Sequence, residues 1–291
     1  MAWLMGFGLV IGLLAAAAVG LAVYGTTRWS HSMQTLGIRL GAGQTNQACR
    51  PPSLLHFDVR ELDGLPAPVQ RYFRAVLTEG QPLVMAAEVA LSGSFNMSAT
   101  GEQWKPFTSW QRNVIRDPGF LWDAKVFLLP GVPVRVVDSY IAGEGLLRAA
   151  VLGLFTVARL QGGGEAARGE LMRYLAETAW YPTALLPSQG VQWTAVDANS
   201  AHATLTDGPH AVSLLFRFNA AGLIESAYAA ARGAMLGKEI VMLPWEGRWS
   251  DYQTRHGMLV PGTGEVAWLR PEGRKAYFRA TVTALDYTFA A

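Results

Sequence analysis

The chain has 291 residues, 51% hydrophobic and 16% charged, with a formal net charge of +2. Such a composition excludes a disordered chain, and the absence of any Lys/Arg block excludes the concentrated basic footprint of a nucleic-acid binder. Cys49 is the sole cysteine, so an intramolecular disulfide and a cysteine-rich zinc or iron–sulfur site are both excluded.

Residues 3–24 read WLMGFGLVIGLLAAAAVGLAVY, and no charged side chain occurs before Arg28. At a rise of about 1.5 Å per residue this run reaches roughly 33 Å, enough for a hydrocarbon core. Trp3 and Tyr24 stand at its two ends, where amphipathic rings favour the interface. Gly8 and Gly12 form a GxxxG pair. A cleaved signal peptide would want a basic n-region and a shorter apolar core. The expectation is therefore a single transmembrane anchor over 1–27. Arg28 and Arg39 after the run would, by the positive-inside rule, leave the body in the cytoplasm.

Residues 28–60 carry Gly, Gln, Asn, Ser and the pair Pro51-Pro52, a composition that predicts a tether. From 61 to 291 we expect a single β-rich domain. LPAPVQRYFRAVL (65–77) predicts a helix with Pro68 in its first turn and Val69, Phe73 and Val76 on one apolar face. From residue 83 the period changes to two. Strands are expected over 84–98, on both sides of the Asp117-Pro118-Gly119 turn, and again at VPVRVVDSYIAG. Residues 146–160 are apolar and fit a strand, a helix or a membrane-leaning loop. A second helix is expected over 168–180. Strands follow over 190–197, 201–206, 210–219, 222–230, 245–254, 264–270 and 275–288. The short spacings favour antiparallel hairpins in one continuous sheet.

Eight tryptophans lie beyond the anchor and tether, several of them on otherwise polar strands. They fit either a large curved-sheet core or an apolar cavity lined by rings. No GxGxxG, Walker A, HExxH or GxSxG arrangement is present, and the QGGGE run lacks the spacing and lysine of a phosphate loop. His31, His56, His202, His210 and His256 form no short metal-ligand pair, so neither a metal nor a cofactor is expected.

Two polar-aromatic segments remain. In GELMRYLAETAWYPTALLPSQGVQW (169–193), Glu170, Arg173, Glu177 and Trp180 share one helix side, while Leu171, Leu175 and Thr178 share another. An exposed row of that kind would be a solvated edge worth some tenths of a kcal/mol per ion pair. In PWEGRWSDYQTRHGMLVP (244–261), Trp245, Gly247 and Trp249 alternate toward one face, and Glu246, Arg248, Ser250 and Tyr252 take the other. If this strand faces the helix, the charges join in one buried network. Glu170, Arg173, Glu177, Trp180, Trp245, Glu246, Arg248, Trp249 and Tyr252 are thus the candidate ligand-binding or network residues. Two glutamates without a nucleophile, a histidine partner or a metal make acid–base catalysis the third reading only.

The segments at 65–77, 169–193 and 244–261, with GFLWDAKV (119–126), together resemble uncharacterised bacterial proteins of the DUF6544/DUF6920 type, over about residues 60–290. That resemblance carries no activity and no catalytic residue. SDYQ followed by HGMLVP (250–261) is similar to bacterial lipoprotein carriers of the LolA/LolB kind. This second likeness implies an incomplete antiparallel barrel with packed helices, a site for acyl chains and an extracytoplasmic body, against the two arginines. The expected fold is mainly β, a curled LolA-like sheet after one transmembrane helix. The expected function is a binding protein for membrane lipid or another lipophilic molecule, anchored in the bacterial inner membrane with its body in the periplasm. The alternative is an accessory subunit partnered with an integral membrane protein.

Overall fold

The computed structural model describes residues 2–42, 55–98, 101–129, 132–236 and 239–290. Cys49 and the Pro51-Pro52 pair lie outside them. Local sequence dictates a chain of hairpins. Alternating strands end at short turns where Gly143, Gly153, Gly208, Gly222, Gly257 and Gly273 supply positive φ. The first six strands are β1 (Val84–Asn96), β2 (Trp104–Val114), β3 (Gly119–Leu129), β4 (Val132–Ile141), β5 (Glu144–Val151) and β6 (Phe155–Gly162). The rest are β7 (Gln192–Asp197), β8 (Ser200–Asp207), β9 (His210–Phe218), β10 (Ile224–Leu236), β11 (Glu239–Arg255), β12 (Met258–Arg270) and β13 (Gly273–Phe289). The ambiguous stretch 146–160 is the β5–β6 hairpin.

All thirteen strands form one sheet in the order β6-β5-β4-β3-β2-β1-β13-β12-β11-β10-β9-β8-β7. Every neighbouring pair is antiparallel, and β13 closes beside β1 with Ser92 opposite Thr281. The edges β6 and β7 do not pair, so the sheet is open. It is nevertheless curled. Tyr140 on β4 donates to Asp207 at the end of β8 at 2.6 Å, and His210 Nε2 lies 3.0 Å from the Gly143 carbonyl.

Helix α1 (Ala2–Ala42), α2 (Ala67–Val76) and α3 (Gly164–Glu177) complete the fold. α3 touches β3 to β6 on one wing and β9 and β10 on the other, so it fills the concave side of the sheet. Short 3-10 turns at Thr178–Trp180, Pro182–Leu185 and Pro187–Gln189 continue it, each proline standing where the helix cannot be extended. The concave core includes Phe120, Trp122, Leu171, Leu175, Trp180 and Trp249.

The tether expected over 28–60 is helical up to Ala42, because α1 runs on past the apolar segment and packs on the convex side. Trp29 and Leu40 join Val114, Leu121, Val137, Ile141 and Ala150 in a second cluster. On β3 the alternation is clean: Phe120 and Trp122 face α3, whereas Leu121 and Asp123 face α1. Among the described residues no helix is long and apolar enough to cross a membrane. Many side chains of the expected anchor lie outside that set. The large apolar side chains that are described before Gly25, from Phe7 to Tyr24, are all exposed.

Candidate functional site

The polar row of α3 is not a solvated edge. Glu170 is 6% exposed, and Arg173 is 13% exposed at its side chain. Arg173 sits at the centre of a network between the helix and the first wing. Its Nε donates to Glu177 at 2.8 Å, its Nη2 donates to Gln111 Oε1 on β2 at 2.9 Å, and its Nη1 pairs with Asp138 on β4. Gln111 in turn donates to Glu177 at 2.6 Å and to Asn113 at 2.8 Å. The guanidinium lies 4.8 Å from the Phe120 ring centroid and 4.9 Å from that of Trp122. Such stacking suits a planar, delocalised cation.

Glu170 ties the helix to the other wing. Its carboxylate lies 3.8 Å from Arg232 on β10, and Arg232 Nε donates to the Gly169 carbonyl at 3.0 Å. The Arg232 guanidinium rests 5.0 Å from the Trp245 ring and 5.7 Å from Trp268. Burial first, and the Asp138 charge second, push the Glu170 carboxyl well above the ordinary carboxylate range, against the pull of Arg232 and Arg173. Glu170 and Asp138 share a hydrogen bond. Otherwise Glu170 Oε2 and Asp138 Oδ1 are buried with no donor, so the neutral acid form of Glu170 satisfies both. Every charge in this cluster is aimed at another protein group. The arrangement holds α3 between two wings of an open sheet.

The second segment meets the helix by its rings and not by its charges. Trp249 stacks on Trp180 with centroids 6.1 Å apart and planes 3° from parallel, and Trp245 donates to Tyr277 at 3.0 Å. Glu246 and Arg248 take the opposite face, as strand alternation requires. There Glu246 accepts from Arg248 at 2.7 Å and from Arg274 at 2.8 Å. Glu265 continues the ladder to Arg274 and, at 2.6 Å, to Arg279. The expected single network of Glu170, Arg173 and Glu177 with Glu246 and Arg248 is thus two networks on opposite faces of the sheet. Tyr252 also departs from its expected face. Asp251 adopts φ 55, which breaks the alternation, and the Tyr252 ring packs on the concave core with its hydroxyl donating to Ile224 O at 2.7 Å.

Gln111, Asp138 and Arg232 were missed as network members. Arg232 is an isolated charge in an otherwise small and apolar stretch of strand, and that isolation was an available signal; Gln111 stands among the polar residues of β2 and carried none. Among the described residues no group of His, Cys, Asp and Glu could hold a metal ion.

A cavity opens on the other side of the sheet. It has a volume of about 440 Å³ and lies between α1 and β4 to β6. Its walls include Arg28, Ser32, Thr35, Arg148, Arg159 and Glu144. A ring-lined cavity was one of the two readings of the tryptophans and a curved-sheet core the other; Trp122, Trp180, Trp245 and Trp249 lie in the packed core, and this cavity is polar and on the opposite side of the sheet. Trp29 forms its floor: its Nε1 donates to Asp123 at 2.9 Å, and Arg148 lies 4.6 Å over its ring.

Residues 63–287 match the model of a family of unknown function, DUF6920, and the chain belongs to that family. No curated protein matches it. Among solved structures it is similar to a LolA superfamily protein from Nitrosomonas europaea. That likeness has 9% identity and a TM-score of 0.39, and it covers 84% of this chain and 96% of that one. It is also similar to a β-barrel-like protein of the domain of unknown function DUF1849 from Brucella abortus. Here identity is 13%, the TM-score 0.20, and coverage 71% and 98%.

Proposed function

We propose that this member of the DUF6920 family is a membrane-anchored protein of the bacterial cell envelope that binds lipid or another lipophilic molecule at the membrane surface. One relationship carries the reading: the apolar part of α1 leaves the body at the end of the sheet where hairpin tips expose large apolar side chains. α1 crosses the convex face from Leu40, which lies against Gly119 at the start of β3, to Gly25, which lies against Leu152 in the β5–β6 turn. The segment before Gly25 projects beyond the sheet. The β3–β4 and β5–β6 tips point the same way, and Phe127, Phe155 and Val157 are exposed there. Scattered apolar residues on a surface mean little, but a patch continuous with an apolar helix marks a membrane or partner contact.

In this reading residues 3–24 span the inner membrane and the sheet stands on its periplasmic side. The concave network around Arg173 is a brace, and contact with lipid is made by the tips and the α1 face. An accessory subunit docked on an integral membrane protein would use the same apolar surface.

Cell fractionation and lipid titration decide between them. The full chain should sediment with membranes and resist high salt, while a chain lacking residues 2–24 should be released. A reporter fused after Ala291 should be active outside the cytoplasm. The purified full chain should change its tryptophan fluorescence saturably with phospholipid or free fatty acid. Absence of saturable binding, with membrane retention intact, transfers the assignment to the accessory subunit. A freely soluble full chain overturns both.

A further inference from the structure

We propose that the groove between α1 and β4 to β6 is a site for the phosphodiester of a net-anionic phospholipid headgroup, held by Arg28, Arg148 and Arg159. The inference rests on residues 3–24 being the membrane anchor.

Charge is the first argument. These three arginines line one groove, and among the described residues no carboxylate pairs with any of them. The two acids nearby are already engaged: Glu144 faces Arg39 at 3.4 Å, and Asp123 faces Arg135 at 3.3 Å. Arg148 is packed and underused. Its Nη2 donates to Ser32 at 3.2 Å, but its Nε is buried with no acceptor. Burial, then the charges of Arg159 and Arg28, pull its pKa below the ordinary guanidinium value. Like charges gathered in this way destabilise the empty groove, and an anion relieves them. Arginine's planar fork suits phosphate oxygens in particular. The Ser32 hydroxyl accepts from Arg148 and keeps its own proton to donate beside it, whereas the Thr35 hydroxyl is committed to the His31 carbonyl at 3.0 Å.

Position is the second argument, and it selects lipid over free phosphate. Arg28 lies one turn beyond Tyr24, where the apolar run ends. At about 1.5 Å per residue it stands roughly 6 Å past the end of the hydrocarbon, inside the headgroup layer. Gly25 places the β5–β6 turn at the same level. A Cβ there would lie 2.1 Å from the Leu152 carbonyl oxygen, so only glycine permits the approach. Leu154 in that turn lines the groove, and Phe155 and Val157 beside it are exposed at 61% and 63%. A cationic slot rimmed by apolar side chains at headgroup depth matches an anionic phospholipid whose acyl chains run along α1.

The test uses the full chain in a nonionic detergent and calorimetric titration with three probes: dihexanoyl phosphatidylglycerol, dihexanoyl phosphatidylcholine and inorganic phosphate. Phosphatidylglycerol should bind saturably, and the other two should bind at least about tenfold more weakly, as the loss of a charge-assisted contact implies. Arg159→Gln and Arg28→Gln, at exposed positions, should each weaken phosphatidylglycerol about tenfold with the thermal transition unchanged. Arg148→Gln should do the same, and the exposed pair stands if that variant loosens α1. Equal affinity in wild type and in the Arg28 and Arg159 variants overturns the site. So does phosphatidylcholine binding as well as phosphatidylglycerol. Phosphate binding more tightly than the lipid overturns the lipid assignment. Any of these results in a chain that still sediments with membranes leaves the proposed function standing, whereas loss of membrane retention refutes that reading itself.

Discussion

Trp180 and Trp249 stack in parallel and offset, ring centroids 6.1 Å apart and planes 3° from parallel, and they link the two polar-aromatic segments of the chain. The stack depends on Gly247, where a Cβ would meet the Trp249 ring at 2.5 Å. Gly247→Ala should push that ring off Trp180 and cost about 1–3 kcal/mol, the range for overpacking a filled site. Trp249→Ala should cost more, about 3–5 kcal/mol, because it leaves a cavity beside a buried ring. Urea unfolding of the two variants checks the order. A neutral Gly247→Ala would show that the ring has room to move.

Arg173 is the single cation shared by Glu177, Asp138 and Gln111. Its removal leaves two carboxylates in a largely buried site with no compensating charge. Arg173→Ala should therefore destabilise by about 3 kcal/mol or more. Arg173→Lys should recover only part of the loss, since an ammonium cannot reproduce the fork or the stacking on Phe120 and Trp122. Equilibrium denaturation measures both. A loss for the Ala variant below about 0.5 kcal/mol, the scale of an exposed pair, would reject the brace.

Glu170 carries a pH signature of known sign. Its carboxyl titrates well above its ordinary 4.5 in the folded chain. Between those two values the folded state holds a proton that the unfolded state has released. Its contribution is complete below pH 4.5 and is lost as pH rises through the folded value. Each unit of upward shift corresponds to about 1.4 kcal/mol. Glu170→Gln keeps a neutral side chain beside Asp138 and Arg232, so it should flatten stability against pH above 4.5 and leave the variant at least as stable as wild type at neutral pH. A wild-type profile that rises over this window and an unchanged slope in the variant would contradict the assignment.

Much of the fold was legible because strand and helix periods differ, and turn residues punctuate each change. The antiparallel sheet, α2 and α3 follow from that alone. The length of α1 did not, because Arg28 to Ala42 is polar on one side and its partner surface, Val114, Leu121 and Val137, is scattered over three strands. The parity of 245–249 correctly separated the tryptophans from Glu246 and Arg248. What parity could not say was which face the helix covers. The partners of Arg173 were hidden for the same reason: Gln111 and Asp138 stand 62 and 35 residues away, and only the curl of the sheet brings them to one helix. Tyr252 was misplaced because a positive φ at Asp251 leaves no mark in a hydropathy pattern.

Trp29 holds α1 on the convex face, and its removal should separate docking of the helix from stability of the sheet. It is 1% exposed, donates to Asp123, and is covered by Arg148 and Arg135 at 4.6 and 5.5 Å. The cluster around it is small and distinct from the concave core. Trp29→Ala removes the ring on which two cations rest and leaves the Asp123 carboxylate without its indole donor. The indole bridges α1 to β3, β4 and β5, and it plays no part in seating α3 on the sheet. Amide exchange over residues 25–42 should therefore accelerate strongly, by about two orders of magnitude or more if some 3 kcal/mol of docking energy disappears. Exchange in β1, β13 and α3 should stay close to wild type. Uniform acceleration throughout the chain would mean that α1 and the sheet unfold as one unit, and protection of α1 unchanged from wild type would mean that Gly25, Leu36 and Leu40 suffice to hold it.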